Sequence, residues 1–321
     1  MISVGIVGGA GYTAGELIRL LVHHPHADIS FVQSTSQSGK KVAEIHKDLL
    51  GDLELRFISE PDFRVDVVFL CMGHGKSREF ISSNNVPENV KIIDLSTDFR
   101  HSANAGDFIY GLPELNEDKI GQANYIANPG CFATCIQLGL LPLAKAGLIK
   151  HDVHVHAITG STGAGVGLSP TSHFSWRNNN VSIYKPFEHQ HMTEIRESLQ
   201  QLAGEDVSTI HFLPVRGNFT RGIFASMYTP FQGSTEEALS LFNQFYKNHP
   251  FVQVTEDTVS LKQVVNTNKC ILQVQVIKGQ VLITSVIDNL LKGASGQAVQ
   301  NMNILFGWDQ QTGLQLKSTA F

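Results

Sequence analysis

The sequence predicts an α/β protein of two domains, the first built on a parallel sheet with helices on both faces, the second of α+β type with a largely antiparallel sheet. Three observations carry this. The chain opens with an apolar run at 2–7 that ends in glycines, continues with helical apolar spacing over 13–23, and reaches a second apolar run at 29–33, which together make a βαβ unit. Nearly continuous apolar runs at 65–72, 91–95 and 123–127 have the character of strands buried on both faces. Beyond residue 150 the pattern becomes alternation, at 153–159, 209–215, 223–229, 271–277 and 280–287, the period of strands with one covered face. The expected boundaries are 1–130 for the first domain, completed by a returning C-terminal helix within 295–321, and 131–294 for the second.

A length of 321 residues suits about two domains. The formal charge of −5 gives no global attraction for nucleic acid or an anionic membrane, so an anionic substrate must be held by a few local cations. No apolar run reaches the length of a membrane span. The start lacks the charged segment of a secretory signal, and the four cysteines, at 71, 131, 135 and 270, have neither disulfide-framework density nor zinc-site spacing. A cytoplasmic protein with reduced thiols is expected.

Taken in order, the first turn holds Gly8, Gly9, Gly11, Tyr12, Thr13 and Ala14, and Gly9-x-Gly11-x-x-Ala14 fits the dinucleotide pattern. That pattern needs a turn without Cβ atoms, so that backbone N–H groups and a helix N-terminus can approach a pyrophosphate. The second strand ends without the acid that would bind the 2′-hydroxyl of NAD. It runs instead into Ser34, Ser36, Ser38 and Lys40, which suit a 2′-phosphate and hence NADP; the same stretch also reads as a plain polar loop. Gly73-His74-Gly75-Lys76-Ser77 and Ser96-Thr97-Asp98-Phe99-Arg100 follow the next strands, at the carboxyl ends where ligands of doubly wound sheets collect.

The chain then reaches Asn128-Pro129-Gly130-Cys131-Phe132, ahead of an apolar helical segment at 132–146. Pro129 extends Asn128, Gly130 permits a bend, and Cys131 falls near a helix N-terminus, where unpaired N–H groups and the macrodipole favour a thiolate. A cysteine at such a junction can also be a small buried hydrophobe. In the second domain Gly160-Ser161-Thr162-Gly163-Ala164-Gly165 follows the first alternating strand, as a phosphate cradle of backbone donors or as a flexible connection. A nucleophilic cysteine wants an imidazole, and His189 and His191 lie just before a helix start at Thr193 and Glu194. Their spacing also fits two metal ligands, without a third in evidence, so no metal is expected. The closing amphipathic stretch at 295–307 reads as the returning helix.

These stretches together resemble the N-acetyl-γ-glutamyl-phosphate reductase family over essentially the whole chain. The matching residues are Gly8-Gly9-Ala10-Gly11-Tyr12-Thr13-Ala14-Gly15, Gly73-His74-Gly75-Lys76-Ser77, Asp94 to Arg100, Tyr110-Gly111-Leu112-Pro113-Glu114-Leu115, Asn128 to Thr134, His189-x-His191 and Ile287-Asp288-Asn289-Leu290 on to Asn303. The resemblance implies a Rossmann domain plus a dehydrogenase-type α+β domain, with NADP held by the glycine turn, the serine loop and Gly73 and His74. It implies Cys131 as nucleophile, one of His189 and His191 as acid/base with His191 preferred, and substrate contacts from Asn128, Ser161, Gly163, Arg221 and Arg100. The reaction implied is NADPH-dependent reduction of an N-acyl-γ-glutamyl phosphate through a thioester, in arginine biosynthesis. N-succinyl and aminoadipyl substrates, or aspartate semialdehyde, are the alternatives. A homo-oligomer, dimer or tetramer, joined through the second domain's sheet is implied as well. The chain departs from the family pattern at Gln37, where an arginine is common, at Met192-Thr193 in place of Thr-Pro, and in carrying both Arg216 and Arg221; Arg221, ahead of Gly222-Ile223, is the favoured substrate cation.

Overall fold

The computed structural model describes residues 1–319. The chain divides into two compact units, residues 1–130 with 294–315, and residues 131–293 with the described residues from Leu316 onward.

In the first unit the chain runs β1 (Ile2–Val7), α1 (Tyr12–Leu21), β2 (Ala27–Gln33), α2 (Val42–Ile45), β3 (Phe57–Ile58), β4 (Val67–Leu70), α3 (Ser77–Ser83), β5 (Lys91–Asp94), β6 (Ile109–Tyr110), α4 (Pro113–Gly121) and β7 (Tyr125–Ala127). The strands form one sheet in the order β3-β2-β1-β4-β5-β7-β6, parallel at every pairing. Strand order reverses between β1 and β4, so the crevice beyond Val7 and Leu70, which are register partners, is where such a sheet binds its ligand. Val4, Ile6, Val67, Val68, Phe69 and Leu70 are buried with no outward-facing partner in the run, as expected of strands covered on both faces.

The helix Gly296–Leu305 belongs to this unit and follows a π-helical turn at Leu291–Ser295. Ser295 donates its hydroxyl to the Thr13 carbonyl at 2.7 Å, and Asn303 Oδ1 lies 3.0 Å from Nε2 of buried His24, which tie the helix to α1 and the turn after it. The returning helix falls within the 295–307 stretch read as helical and does not fill the 295–321 span assigned to it. It stops at Leu305, Gly307 takes φ +69, the remaining described residues are turns and extended chain, and residues 320 and 321 of that span lie outside the described residues.

The second unit runs α5 (Cys131–Lys145), β8 (Val153–Thr159), α6 (Phe174–Arg177), β9 (Ser182–Ile183), α7 (Met192–Ala203), β10 (Ile210–Arg216), β11 (Ile223–Pro230), α8 (Thr235–Tyr246), β12 (Val252–Thr255), β13 (Cys270–Ile277) and β14 (Gln280–Ile287). Its sheet has the order β12-β13-β14-β11-β8-β10-β9. Four pairings are antiparallel, but β8 with β10 and β12 with β13 are parallel, so the sheet is mixed. Alternation reports one covered face and says nothing of strand direction, which is why the parallel pairs escape a reading of period alone. Val153, Val155 and Ala157 are buried, while His154 and His156 face out; α5 packs on β11, β13 and β14, and α8 on β12 and β13.

The helix α5 is buried along nearly its whole length, although Pro142 sits inside it. Proline has no N–H, so the carbonyl four residues earlier, Leu138, loses its helical donor. Tyr246, at the end of α8, donates its hydroxyl to that carbonyl at 2.5 Å. A buried carbonyl left unmet is costly, so the phenol makes proline tolerable at the centre of the unit. Tyr246→Phe is expected to lower the unfolding free energy by about 1–3 kcal/mol. In a Pro142→Ala background, where the N–H is restored, the same change costs less; urea unfolding of the four proteins measures both.

Candidate active site

Cys131 is the first residue of α5, where the unpaired N–H groups and the helix dipole favour negative charge. It is partly exposed, whereas Cys135 and Cys270 are buried. Burial pushes the Cys135 thiol well up, and burial followed by the nearby Asp94 charge pushes Cys71 up as well. Of the four thiols, Cys131 is the one in a position to act as a nucleophile.

Two residues ordered by β10 and its neighbours gather around the start of α5. The Phe132 ring meets His189 edge-on at 5.4 Å and His191 at 6.4 Å, and the two imidazoles stand 4.6 Å apart. His189 lies against Phe212 and Tyr184, at 5.5 and 5.7 Å. Burial first, then the charges of Lys185 and Arg216, lower the pKa of His189 to about 4. Its Nδ1 accepts the backbone N–H of His191 at 3.2 Å, so the neutral ring carries its proton on Nε2. His191 differs: its Nε2 is 3.9 Å from the carboxylate of buried Glu194, a counter-charge for an imidazolium. Glu194 is held in turn at its main chain, where its carbonyl accepts from Gln137 on α5 at 3.0 Å.

Tyr184 and Arg216 complete the cluster and were not among the residues expected there. The Arg216 guanidinium lies 4.7 Å from the Tyr184 ring centre. Burial, and after it the charge of Cys131, push the Tyr184 hydroxyl up to about 12, so it stays a proton donor. Lys185 and Phe187 hold positive φ, at 45° and 63°, in the segment between Tyr184 and the histidines.

Arg221 forms an ion pair with Asp288 at 2.9 Å and keeps a fifth of its side chain exposed. The 160–165 loop does not offer the expected cradle. The N–H groups of Gly160, Ser161 and Thr162 donate to Gly222, Phe219 and Thr220, and those of Gly163 and Gly165 close on Gly160 and Thr162. The loop is zipped along the 219–222 segment, so Gly163 has no backbone donor to offer and Ser161 retains only its hydroxyl for a ligand.

In the first unit Asn128 and Arg100, both expected at the substrate, are spent on the protein itself. Asn128 is 1% exposed; its Nδ2 donates to Ala294 O at 3.1 Å and its Oδ1 accepts from Asn301 at 3.0 Å. Arg100 donates to the carbonyls of Asn128 and Leu95, each at 2.8 Å. Both hold the strand exits rather than facing outward. The Gly73 to Ser77 loop is likewise capped from within, because Asp98 accepts the N–H groups of Gly75, Ser77 and Arg78. Burial works to raise the Asp98 pKa, and those three donors outweigh it and hold it low.

The glycine turn does fit a dinucleotide. A Cβ on Gly8, at φ +79, would meet the Cys71 backbone at 2.9 Å, and one on Gly9 would meet Val32 at 2.2 Å, so the turn is pressed onto β2 and β4. Gly11 caps α1 and faces open space, leaving room for a pyrophosphate where a side chain would intrude. Ala14 is buried under the turn, Thr13 has its carbonyl tied to Ser295, and Tyr12 is exposed. Beyond β2, Gln33 donates to Ser59 O and Thr35, Ser34 and Ser36 lie side by side, and Ser38 and Lys40 are exposed, with the Lys40 ammonium on Gln37 at 2.9 Å. Arg56, donating to Gly39 O at 2.7 Å, adds a cation to this loop that linear reading passed over because it comes from the neighbouring strand pair. No set of three or more His, Cys, Asp or Glu suited to a metal occurs among the described residues.

The chain matches the semialdehyde dehydrogenase NAD binding domain over residues 3–123 and the semialdehyde dehydrogenase dimerisation domain over 131–289. It is 58% identical to the N-acetyl-gamma-glutamyl-phosphate reductase of Christiangramia forsetii, 57% to that of Flavobacterium johnsoniae and 53% to that of Bacteroides fragilis, each over the full length of both chains. The chain belongs to this reductase family. Its fold is that of aspartate semialdehyde dehydrogenases: the Vibrio cholerae enzyme II matches with TM-score 0.74 at 17% identity over 96% of this chain and 98% of that one, and the Candida albicans enzyme with TM-score 0.74 at 14% over 95% and 99%. Membership makes this an oxidoreductase chain with a nicotinamide-binding domain and a domain of a dimerising type. No helix among the described residues is long and apolar enough to cross a membrane.

The depressed pKa of His189 makes stability depend on pH with a definite sign. Its ring is neutral when folded, so above pH 6.5 it neither gains nor loses; below that the unfolded chain takes up the proton first, and the loss is complete near pH 4. Unfolding free energy is expected to fall by roughly 3 kcal/mol across that window on account of this one ring. His189→Gln should remove that share, which denaturation midpoints at pH 7, 5.5 and 4 will read.

Proposed function

We propose that the chain reduces an N-acyl-γ-glutamyl phosphate to the N-acylglutamate semialdehyde and inorganic phosphate, using NADPH and a thioester at Cys131, as a step of arginine biosynthesis. The observation that carries the reading is a partly exposed thiol at the first position of α5, with Phe132 beside it in contact with both imidazoles. The names borne by the full-length relatives supply the substrate.

In the reading, the Cys131 sulfur attacks the acyl carbon, the carbon–oxygen bond to phosphate breaks, and phosphate leaves. Sulfur is the right nucleophile because a thioester accepts hydride where a carboxylate does not. Bound NADPH supplies that hydride to the thioester carbonyl. The carbon–sulfur bond then breaks, releasing the aldehyde and restoring the thiolate. His191, facing the Glu194 carboxylate, holds and moves the proton; His189, neutral with hydrogen on Nε2, orients a carbonyl oxygen. Arg221 and the Ser161 hydroxyl make the substrate contacts, while Asn128 and Arg100 position the turn ahead of Cys131.

NADP is preferred over NAD in this reading because no acid ends β2, and Ser34, Ser36, Ser38, Lys40 and Arg56 stand where a 2′-phosphate would lie. Gly8, Gly9, Gly11, Tyr12, Thr13 and Ala14 hold the pyrophosphate, and Gly73 and His74 line the next strand exit. The four thiols suit a cytoplasmic setting. A homo-oligomer, dimer or tetramer, would use the outward face of the mixed sheet; sedimentation at rising concentration reads the number of subunits.

The first test is phosphate-dependent reduction of NADP with N-acetylglutamate semialdehyde. Turnover should require phosphate and fall by at least about 1,000-fold in Cys131→Ser, with NADPH binding retained. Turnover confined to the N-succinyl or aminoadipyl analogue would change the acyl chain and keep the chemistry; no turnover with any of the three would sink the substrate. Lys40→Ala is expected to raise the KM for NADPH about 10-fold and leave that for NADH unchanged. Equal effects on both would remove Lys40 from the 2′-phosphate.

A further inference from the structure

The turn from Asp288 to Gly293 carries more contacts than a connection between elements needs. Asp288 is fully buried at the end of β14. Its Oδ1 accepts the N–H groups of Leu290 and Leu291 at 2.8 and 3.2 Å, and its Oδ2 accepts that of Asn266 at 2.7 Å and pairs with Arg221 at 2.9 Å. Its carbonyl accepts the N–H of Gly293 at 2.9 Å. Every polar atom of one aspartate beyond its own N–H therefore shapes this turn or holds the arginine.

Gly293 is where the turn meets the thiol-bearing residue. A Cβ there would lie 2.8 Å from the Cys131 Cβ and 3.2 Å from its Cα, closer than such atoms approach. These neighbours are the first backbone atoms of a buried helix and the root of a side chain, so neither can swing aside as a long side chain would. The turn is also π-helical from Leu291, a rare, wide geometry held here by surrounding bonds. Asp288 supplies those bonds.

We propose that Asp288 is a positioning residue for Cys131: it sets the 288–293 turn so that the bare backbone of Gly293 fixes the direction of the Cys131 side chain, and through the same carboxylate it fixes Arg221. The nucleophile and the substrate cation are then indexed to one buried group. The inference rests on Cys131 being the nucleophile, since otherwise the fixed direction would have no catalytic consequence.

The test uses the full chain, with thermal melting to establish that each variant is folded. In Gly293→Ala the added methyl must displace the Cys131 side chain, so alkylation of Cys131 by iodoacetamide should slow and kcat should fall, each by about 10-fold or more, with KM for the acyl phosphate within about 2-fold. Asp288→Asn, which can no longer accept from the Asn266 N–H and sets an amide against Arg221, should slow alkylation similarly. Because both act through one turn, the double variant should alkylate no more slowly than the slower single. Either folded single variant alkylating at the wild-type rate, or a double variant whose effects multiply, overturns the proposal; if Gly293→Ala does not fold, the alkylation rate of Asp288→Asn decides between the two outcomes alone. Failure of the underlying reading looks different: Cys131→Ser would keep its turnover, while the alkylation rates of the Gly293 and Asp288 variants would still report on the contact.

Discussion

The constraint on which the second unit depends is a partly exposed thiol, the proposed nucleophile, at the first residue of a helix that is otherwise core. Every residue of α5 from Phe132 to Ala144 is buried, so the helix cannot slide or tilt without disturbing the packing of β11, β13 and β14 against it. At its N-terminal end Cys131 stays partly exposed. A nucleophile needs exposure and a fixed direction at once, and the two conflict on a loop. Rooting the thiol on a packed helix reconciles them: the helix supplies direction, and its end supplies exposure and a favourable dipole.

The same logic accounts for the buried polar groups of the first unit. Asn128, Arg100, Asn301 and Asp94 are all nearly or fully buried: Arg100 donates to the Leu95 and Asn128 carbonyls after β5 and β7, Asn301 to Gly111 O after β6 and to the Asn128 side chain, and Asp94 accepts the Ser96 N–H. Polar side chains so placed are costly unless satisfied, and once satisfied they specify one loop conformation where apolar residues would allow several. Burial raises the Asp94 pKa even though Ser77, Ser96 and Arg100 act against it. This carboxylate is a constraint on backbone geometry, not a group on display to a ligand.

What linear reading could and could not see follows from this. The glycine turn, the central strands and the cysteine at a helix start are local: each is set by φ freedom, periodicity or a few adjacent residues, and each was legible. Whether a loop's N–H groups are open or already bonded is not local. The 160–165 loop looks like a cradle until residues 219–222, some sixty positions away, are seen to take its donors, and Asp98 fills the same role for the loop after β4. Arg100 and Asn128 show the same limit, since a charged or amide residue beside a cysteine reads identically whether it faces a substrate or holds a carbonyl, and here both donate to carbonyls. Helix α8 was within reach, because Ser234 and Glu237 form a capping box that announces its start. Strand direction in the mixed sheet was beyond it, since side-chain alternation is the same for parallel and antiparallel neighbours.

The histidine pair shows how far environment, rather than residue type, sets chemistry. His189 and His191 are two residues apart, both buried and in ring contact with each other and with Phe132. One lies among aromatic rings near two cations and is kept neutral; the other faces a buried carboxylate. The backbone N–H of His191 fixes the tautomer of His189. The proposed reduction requires two distinct services, a group that exchanges a proton with the reacting oxygen or sulfur and a group that donates a hydrogen bond without giving its proton away. The two identical side chains are told apart by their surroundings: burial first, then the charges of Lys185 and Arg216, keep His189 neutral, while the Glu194 carboxylate faces His191.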